Sequence, residues 1–411
     1  MIIDIEQWDS LSKDEQSKVT VINSKGTKLL SNIKDRPTMT FATMCKNEEE
    51  VIDSTLTTFL PAMDYLVFVD TTSTDNTVGV VVEFLKRTGI PGEIHIDEWL
   101  DMGLSKSKMM QYAYKKTDYL LHVDSHMHLK GNFKFKFKDE GFTSYSLEQR
   151  RGSAIFPATC ILKNDLIWRF VGVRHTVLVC DDKKDLRMGN ISDCYIQHGG
   201  NGRMGKASYN PDKYKNDAGL LMDQFWKTVV DDPDGIMRRS VFYAAQSWHD
   251  YGSHENAIKW YSLYTQLKNT WFEEVYISYI RMAYNMIESE VEYSFRQIED
   301  KFIKAMNLCP DRAEVYFDLG KFYLSETYYT DAYRILKKGK GLSMKNAVNK
   351  YKLFTNKLKY EKYFNDNLSV ACYYLNKKKE GLDLIKEIYD LPEFIRLRKH
   401  FDSNIEWLNK L

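Results

Sequence analysis

The sequence predicts two architectures in one chain: a Rossmann-like α/β domain built on a mostly parallel sheet, followed by an all-α solenoid of helical repeats. Three observations carry this. Over the first 130 residues, short apolar runs alternate with segments of helical period, the pattern of parallel strands joined by crossover helices. From Asp212 onward the apolar period is helical without interruption. Within that second half one arrangement of small and aromatic residues recurs, the mark of a repeat protein.

Composition sets the bounds. A chain of 411 residues is long for one core, so two domains are expected, with a polar leader over 1–36, an α/β domain over 37–211 and helical repeats over 212–411. Lys+Arg 58 against Asp+Glu 57 leaves a net charge of +1, so no global attraction draws the chain to nucleic acid or anionic lipid. Its apolar runs fall well short of the ~20 residues a membrane span needs, and Met1–Trp8 lacks the basic and apolar regions of a signal peptide. The expectation is a cytoplasmic protein with no membrane span. Six cysteines (Cys45, Cys160, Cys180, Cys194, Cys309 and Cys372) are scattered without a CxxC pair, which points to reduced, buried thiols and away from a cysteine zinc site.

The leader, closed by Asp35-Arg36-Pro37, reads as irregular with one possible helix or hairpin. Thr38–Met44 is a β-rich run, followed by the loop Cys45-Lys-Asn-Glu-Glu-Glu50 and a helix through Val51, Leu56 and Phe59. Tyr65–Val69 ends at Asp70 and leads into Thr71–Thr77, whose Ser, Thr and Asp residues suit a helix start, with Asp75 as a cap for a helix over 78–87. Glu93–Ile96 supplies a third strand and Ser105–Lys115 a third helix. The fourth strand is Tyr119–Val123, which stops at Asp124-Ser-His126. In an open α/β sheet ligands bind at the carboxyl edge of the strands, and an acid followed two residues later by a histidine can hold one divalent cation from one side. Beyond it, Phe133–Lys138 alternates as a half-exposed strand, and Ser144–Gln149, Ser153–Leu162 and Trp168–Cys180 are β-rich runs expected to complete the sheet.

The Cys45–Glu49 loop, the Val69–Thr77 segment and the strand ending Val123-Asp124-Ser-His126 together resemble, in order and spacing, the family 2 glycosyltransferases of GT-A fold. That resemblance implies a sugar transferase using a nucleotide-sugar donor, a UDP-sugar by expectation, with inversion at the anomeric carbon and a divalent metal, Mn²⁺ or Mg²⁺, bridging the diphosphate. It implies that Asn47, Glu48 and Asp70 hold the base and ribose, that Asp124 is the first acid of a D-x-D motif, and that Lys106 and Lys108 face the donor phosphates. The second motif acid is replaced by His126, an acceptable ligand for Mn²⁺. Trp168–His175 resembles a segment of the branch of the family with a helical-repeat tail, with Thr176 where that branch carries Glu. His198 and the glycine-rich run Gly199–Gly205 resemble the late loop that returns to metal and diphosphate. For the base that takes the acceptor proton, His175 is the candidate by position and Glu148 by chemistry, with Asp165 behind them.

In the second half, Val241, Ala244, Ala245, Trp248, Ala257 and Tyr261 occupy the spacings of a tetratricopeptide unit, as do Tyr316, Leu319, Gly320, Tyr323, Ala332 and Leu336. A degenerate unit ending near Ala305 and Pro310 fits between them, and a weaker fourth pair runs through Ala371 and Tyr374 to Ile385. Pro233-Asp-Gly235 marks a boundary inside this half. Nine lysines from Lys337 to Lys362, interleaved with Tyr351, Phe354 and Tyr360, form a strip able to attract a polyanion or to face solvent. The expectation is therefore a metal-dependent transferase acting on an acceptor hydroxyl of a glycan, a protein or a modified DNA base, with the repeats open to a protein partner. Its rivals are a catalytically weak GT-A platform that binds partners and a transferase acting on a hydroxylated DNA base.

Overall fold

The computed structural model describes residues 1–25, 33, 35–134, 141–152, 154–182, 185–199, 212–228, 232, 236–342, 350–351, 353 and 362–411. It divides into two compact units, Met1–Lys213 and Tyr214–Leu411.

In the first unit the strands Met39–Cys45 (β3) and Tyr65–Asp70 (β4) are buried almost throughout, as strands covered on both faces must be. Parallel pairing joins β3 to β4 on one side and to Tyr119–His122 (β6) on the other, and β4 to Gly92–Ile96 (β5). The order β5-β4-β3-β6 is the parallel heart of a ten-stranded mixed sheet. Three crossover helices serve it: Ile52–Phe59 (α1), Thr77–Thr88 (α2) and Met102–Ala113 (α3). Helix α2 stops where Gly89 takes a left-handed φ of 69° and returns its N–H to Leu85 O. Helix α3 starts on Asp101, whose side chain accepts the Leu104 N–H at 2.7 Å.

The flanks differ from expectation. Residues 1–25 of the leader are ordered, with the helix allowed there present at Lys13–Gln16 and two strands besides. Ile2–Asp4 (β1) and Thr20–Asn23 (β2) pair in parallel, and β2 runs antiparallel to β5, so residues read as a leader extend the sheet. Ile3, Ile5, Trp8, Val19 and Val21 lie in its core, an apolar set too widely spaced to show a period. On the other flank Ala154–Lys163 (β9) is antiparallel to β6, Ser144–Arg151 (β8) antiparallel to β9, Met188–His198 (β12) parallel to β8, and Met127–Gly131 (β7) antiparallel to β12. The strand expected over Phe133–Lys138 falls partly on residues 135–140, outside the described residues. The run Trp168–Cys180 does not join the main sheet. It folds into a separate hairpin, Trp168–Val171 (β10) with Val177–Cys180 (β11).

The second unit is helical. Antiparallel pairs form from Arg239–Tyr251 with His254–Gln266, Phe272–Glu288 with Phe295–Leu308, Ala313–Ser325 with Tyr329–Lys340, and Tyr363–Tyr374 with Lys378–Lys386. Val241, Ala244, Ala245, Ala257 and Tyr261 are buried, as are Tyr316, Leu319, Gly320, Tyr323, Ala332 and Leu336. Gly320 shows why a small residue recurs there: a Cβ on it would come within 2.4 Å of the Leu336 side chain across the pair. The Pro233-Asp-Gly235 boundary lies outside the described residues. All six cysteines are free thiols, and no described helix is long and apolar enough to cross a membrane.

Candidate functional site

Adjacent parallel strands end in a row of acids. Asp70 closes β4, Asp97 follows β5 and donates its N–H to Asp70 O at 2.9 Å, and Asp124 stands two residues beyond β6. Two loops cross this edge and clamp each other. Asn47, at a left-handed φ of 56°, accepts the Thr74 N–H on Oδ1 at 2.7 Å, and its own N–H donates to Ser73 Oγ at 2.8 Å. The Glu48 N–H donates to Thr77 Oγ1 at 2.8 Å, and the Glu48 side chain is buried. Asp75 accepts from the N–H groups of Thr77 and Glu49, so it ties the helix start to the neighbouring loop from the position before the cap, which is Asn76. Asp70 is 1% exposed; its Oδ2 accepts the Ser73 N–H at 2.8 Å, while Oδ1 is buried without a partner among the described residues. Burial pushes the Asp70 carboxyl above its usual range.

The second cluster forms where β6 turns into β7. Asp124 O accepts the Met127 N–H, closing the turn that carries His126. Pairing of β12 with β7 sets His198 opposite Met127, and the Gly199 N–H donates to His126 O at 2.8 Å. That approach requires glycine, because a Cβ at 199 would meet the same oxygen at 2.8 Å. The rings of His126 and His198 lie 5.8 Å apart, and His198 Nε2 is 2.7 Å from Gln149 Oε1 on β8. Asp124 Oδ1 accepts from Lys106 Nζ on α3 at 2.9 Å. Burial would raise the Asp124 pKa, but the Lys106 ammonium reverses this and holds it at about 2. Burial lowers the pKa values of His126 and His198.

An ionised carboxylate beside neutral imidazoles is the protonation state a divalent cation needs in its ligands, and this mixed O/N set suits Mn²⁺. The donor chemistry therefore fits a metal. The arrangement is not a ready cage: among the described residues no three His, Cys, Asp or Glu groups converge as one, and Asp124 already holds an ammonium.

No protein-family model and no curated protein matches the chain. Among solved structures it is similar to TarS 1-349 of S. aureus in complex with UDP-GlcNAc, at 13% identity over 66% of this chain and 91% of that one, with a TM-score of 0.35. It is similar also to the mannosyltransferase PcManGT from Pyrobaculum calidifontis in complex with GDP-Man and Mn²⁺, at 12% identity over 66% of this chain and 88% of that one, with a TM-score of 0.37. A thermophilic TPR protein in Thermus thermophilus, TTC0263, is 14% identical over 49% of this chain and 96% of its own, with a TM-score of 0.32.

The remaining candidates are more scattered. Lys108 does not accompany Lys106: two residues apart on a helix, they point apart, and Lys108 Nζ donates to Asp97 Oδ1 at 2.6 Å. Glu148 is paired with Arg150 Nε at 2.7 Å, and as the neighbour of Gln149 along β8 it faces the other side of the sheet from the Gln149–His198 contact. His175 is exposed at the β10–β11 turn, at a left-handed φ of 48°. That hairpin packs on α3, where Ser107 bonds Phe170 N and O and Gly103 approaches Gly172 O so closely that a Cβ would meet it at 2.5 Å. Asp165 is exposed in the turn between β9 and β10. Gly200–Gly205 and Lys206 lie outside the described residues.

One residue at this edge escapes a reading by motif. His122, inside the apolar strand before Asp124, has a buried Nε2 without a partner among the described residues, and burial drives its pKa down to about 3. Its signal was a lone imidazole in a run otherwise apolar. In the helical unit, four of the five described lysines of the strip are ion-paired: Lys337 with Glu380, Lys340 and Lys362 with Glu387, and Lys350 with Asp311. Lys345, Lys352, Lys357 and Lys359 lie outside the described residues.

Proposed function

We propose that the α/β unit is a glycosyltransferase that binds a nucleotide-sugar, by preference a UDP-sugar, across the carboxyl edge of its sheet and transfers the sugar to an acceptor hydroxyl with inversion. The observation that carries this is Asp70 Oδ1: a carboxylate oxygen buried beside a clamped loop pair and lacking a donor among the described residues is a cost unless a ligand N–H or O–H completes it. Asn47 holds the loops in place around it, and buried Glu48 lines the same loop. A divalent cation, Mn²⁺ before Mg²⁺, would be held by Asp124 with His126 and His198, and when bound would supply charge neutralisation for the leaving diphosphate. Around it the chain's own groups divide the work. Lys106 adds positive charge at the same place. The acceptor oxygen attacks the anomeric carbon as the bond from that carbon to the phosphate oxygen breaks, and the acceptor proton passes to a base. Of the two base candidates we take His175, because Glu148 is tied to Arg150 and faces away from His198.

The test is a thermal-shift screen of nucleotide-sugars with and without Mn²⁺, followed by release of nucleoside diphosphate from whichever stabilises the protein. Stabilisation that disappears in Asp124→Ala supports the site. Stabilisation without turnover on any acceptor would favour a binding platform instead. For a hydroxylated DNA base as acceptor no structural observation speaks, since the described lysines are mostly neutralised by acids.

A further inference from the structure

Lys106 is held by two groups. Its Nζ is 2.9 Å from Asp124 Oδ1 and 5.3 Å from the centre of the Phe170 ring, and its side chain is only 17% exposed. The helix that carries it cannot drift, because Ser107 accepts the Phe170 N–H at 2.8 Å and donates to Phe170 O at 3.0 Å, and Gly103 sits against Gly172. An ammonium stacked on an aromatic face and bonded to a carboxylate is a preformed pair, and removing either partner leaves the other charge short of compensation. Asp124 and Lys106 thus balance each other, one charge against one.

That balance has a consequence for any cation that needs Asp124. A divalent ion arriving alone would add two positive charges next to an ammonium with nowhere to go. A diphosphate arriving alone would meet Asp124. Arriving together, a divalent ion and the doubly negative diphosphate of a nucleotide-sugar leave the pocket neutral again, with the carboxylate turned to the ion and the ammonium to the phosphate oxygens. Building on the donor site proposed above, we propose that Lys106 is an internal counter-cation that competes with the divalent ion for Asp124, so that the ion and the nucleoside diphosphate bind tightly only as a pair. Lys106 is on this account a positioning residue that sets the order of assembly.

Isothermal titration of the full chain with Mn²⁺ alone, UDP alone and both together reads this directly, with Lys106→Met and Lys106→Arg as variants. In the wild type, each ligand should tighten the other at least tenfold. Lys106→Met should bind Mn²⁺ alone at least tenfold more tightly than wild type, lose most of the mutual tightening, and melt lower than wild type without metal but recover when Mn²⁺ is added. Lys106→Arg, which keeps the charge, should bind Mn²⁺ alone as weakly as wild type. It guards against a folding defect in the methionine variant. If Lys106→Met leaves Mn²⁺ affinity unchanged or lower while the wild type still binds Mn²⁺ and UDP together, the competition is wrong and the donor site stands. If the wild type binds no nucleoside diphosphate, UDP or GDP, with or without Mn²⁺, both the donor site and the competition fail.

Discussion

His198 Nε2 lies 2.7 Å from Gln149 Oε1, so the histidine that closes the Asp124–His126 cluster is held by a neutral amide 7% exposed on the neighbouring strand. An amide oxygen facing Nε2 keeps a proton on that nitrogen and leaves Nδ1 as the basic one. Partners of this kind aim metal-binding histidines.

The first prediction follows from that aim. Gln149→Met keeps the volume and removes the acceptor, and it should weaken nucleotide-dependent Mn²⁺ binding by about tenfold. In a His198→Ala background the same change should have no further effect on the metal, which a double-mutant cycle measures. Unchanged Mn²⁺ affinity in Gln149→Met and in His198→Ala would remove His198 from the site and leave it as a residue of the β8–β12 pairing.

Asp70 separates binding from stability. Its carboxyl is buried and its pKa raised, so the ionised form is disfavoured in the fold, and Asp70→Asn should leave the melting temperature of the ligand-free protein equal or higher. Asn still accepts the Ser73 N–H but carries no charge for a ligand donor. Nucleotide-sugar affinity should therefore fall about tenfold or more. A variant that melts several degrees lower and binds as before would contradict the assignment.

His122 predicts acid sensitivity. Its folded pKa of about 3 lies below the ~6.5 of an unfolded histidine, so between these values the unfolded chain takes up a proton that the folded one refuses, and stability falls as pH drops. The slope is at most about 1.4 kcal/mol per pH unit. Asp124 adds in the same direction only below about pH 4, where its depressed carboxyl stays ionised while the unfolded one protonates. His122→Asn should flatten the melting profile between pH 6.5 and 4.5. Identical profiles for the two proteins would show that this ring takes its proton in the fold.

In the helical unit, Gly320→Ala should destabilise by about 1–3 kcal/mol, because the added methyl meets Leu336 at 2.4 Å inside a packed pair. Combining it with Leu336→Ala should cost less than the two single changes together. Additive losses, measured by chemical denaturation, would mean the helices do not meet where the structure places them.

Much of this was legible in the residues. The parallel strands announced themselves because each is a short apolar run that stops at a polar loop, and the repeats because Ala244, Ala257, Gly320 and Ala332 recur at helix crossings. Asp70 and Asp124 were visible as acids at strand ends. Less legible was whatever depends on a distant partner. β12 hides because residues such as Met188, Asn190 and Asp193 are exposed along it, and its period is broken by a register shift between Ile191 and Tyr195. The β1–β2 pair hides because its core residues, Ile3, Val19 and Val21 among them, are too few and too widely spaced to show a period. Lys106 and Lys108 look equivalent in a helix and are not, since one meets Asp124 and the other Asp97. Glu148 looked like a base by chemistry alone, a property that carries no information about which face of a strand it occupies.

Strand β7 hydrogen-bonds, among the described strands, to β12 alone. During synthesis the turn bearing Asp124 and His126 leaves the ribosome before the strand that fixes it, and until residue 198 arrives β7 has no strand partner among those described. Domains fold as units once their last strand is available, and pairings across long loops are slow. The turn that carries Asp124 and His126 is thus a late product of translation. A nascent chain arrested before Met188 should present the β3–β6 heart of the sheet without the Gly199–His126 hydrogen bond, and one released past His198 should acquire it.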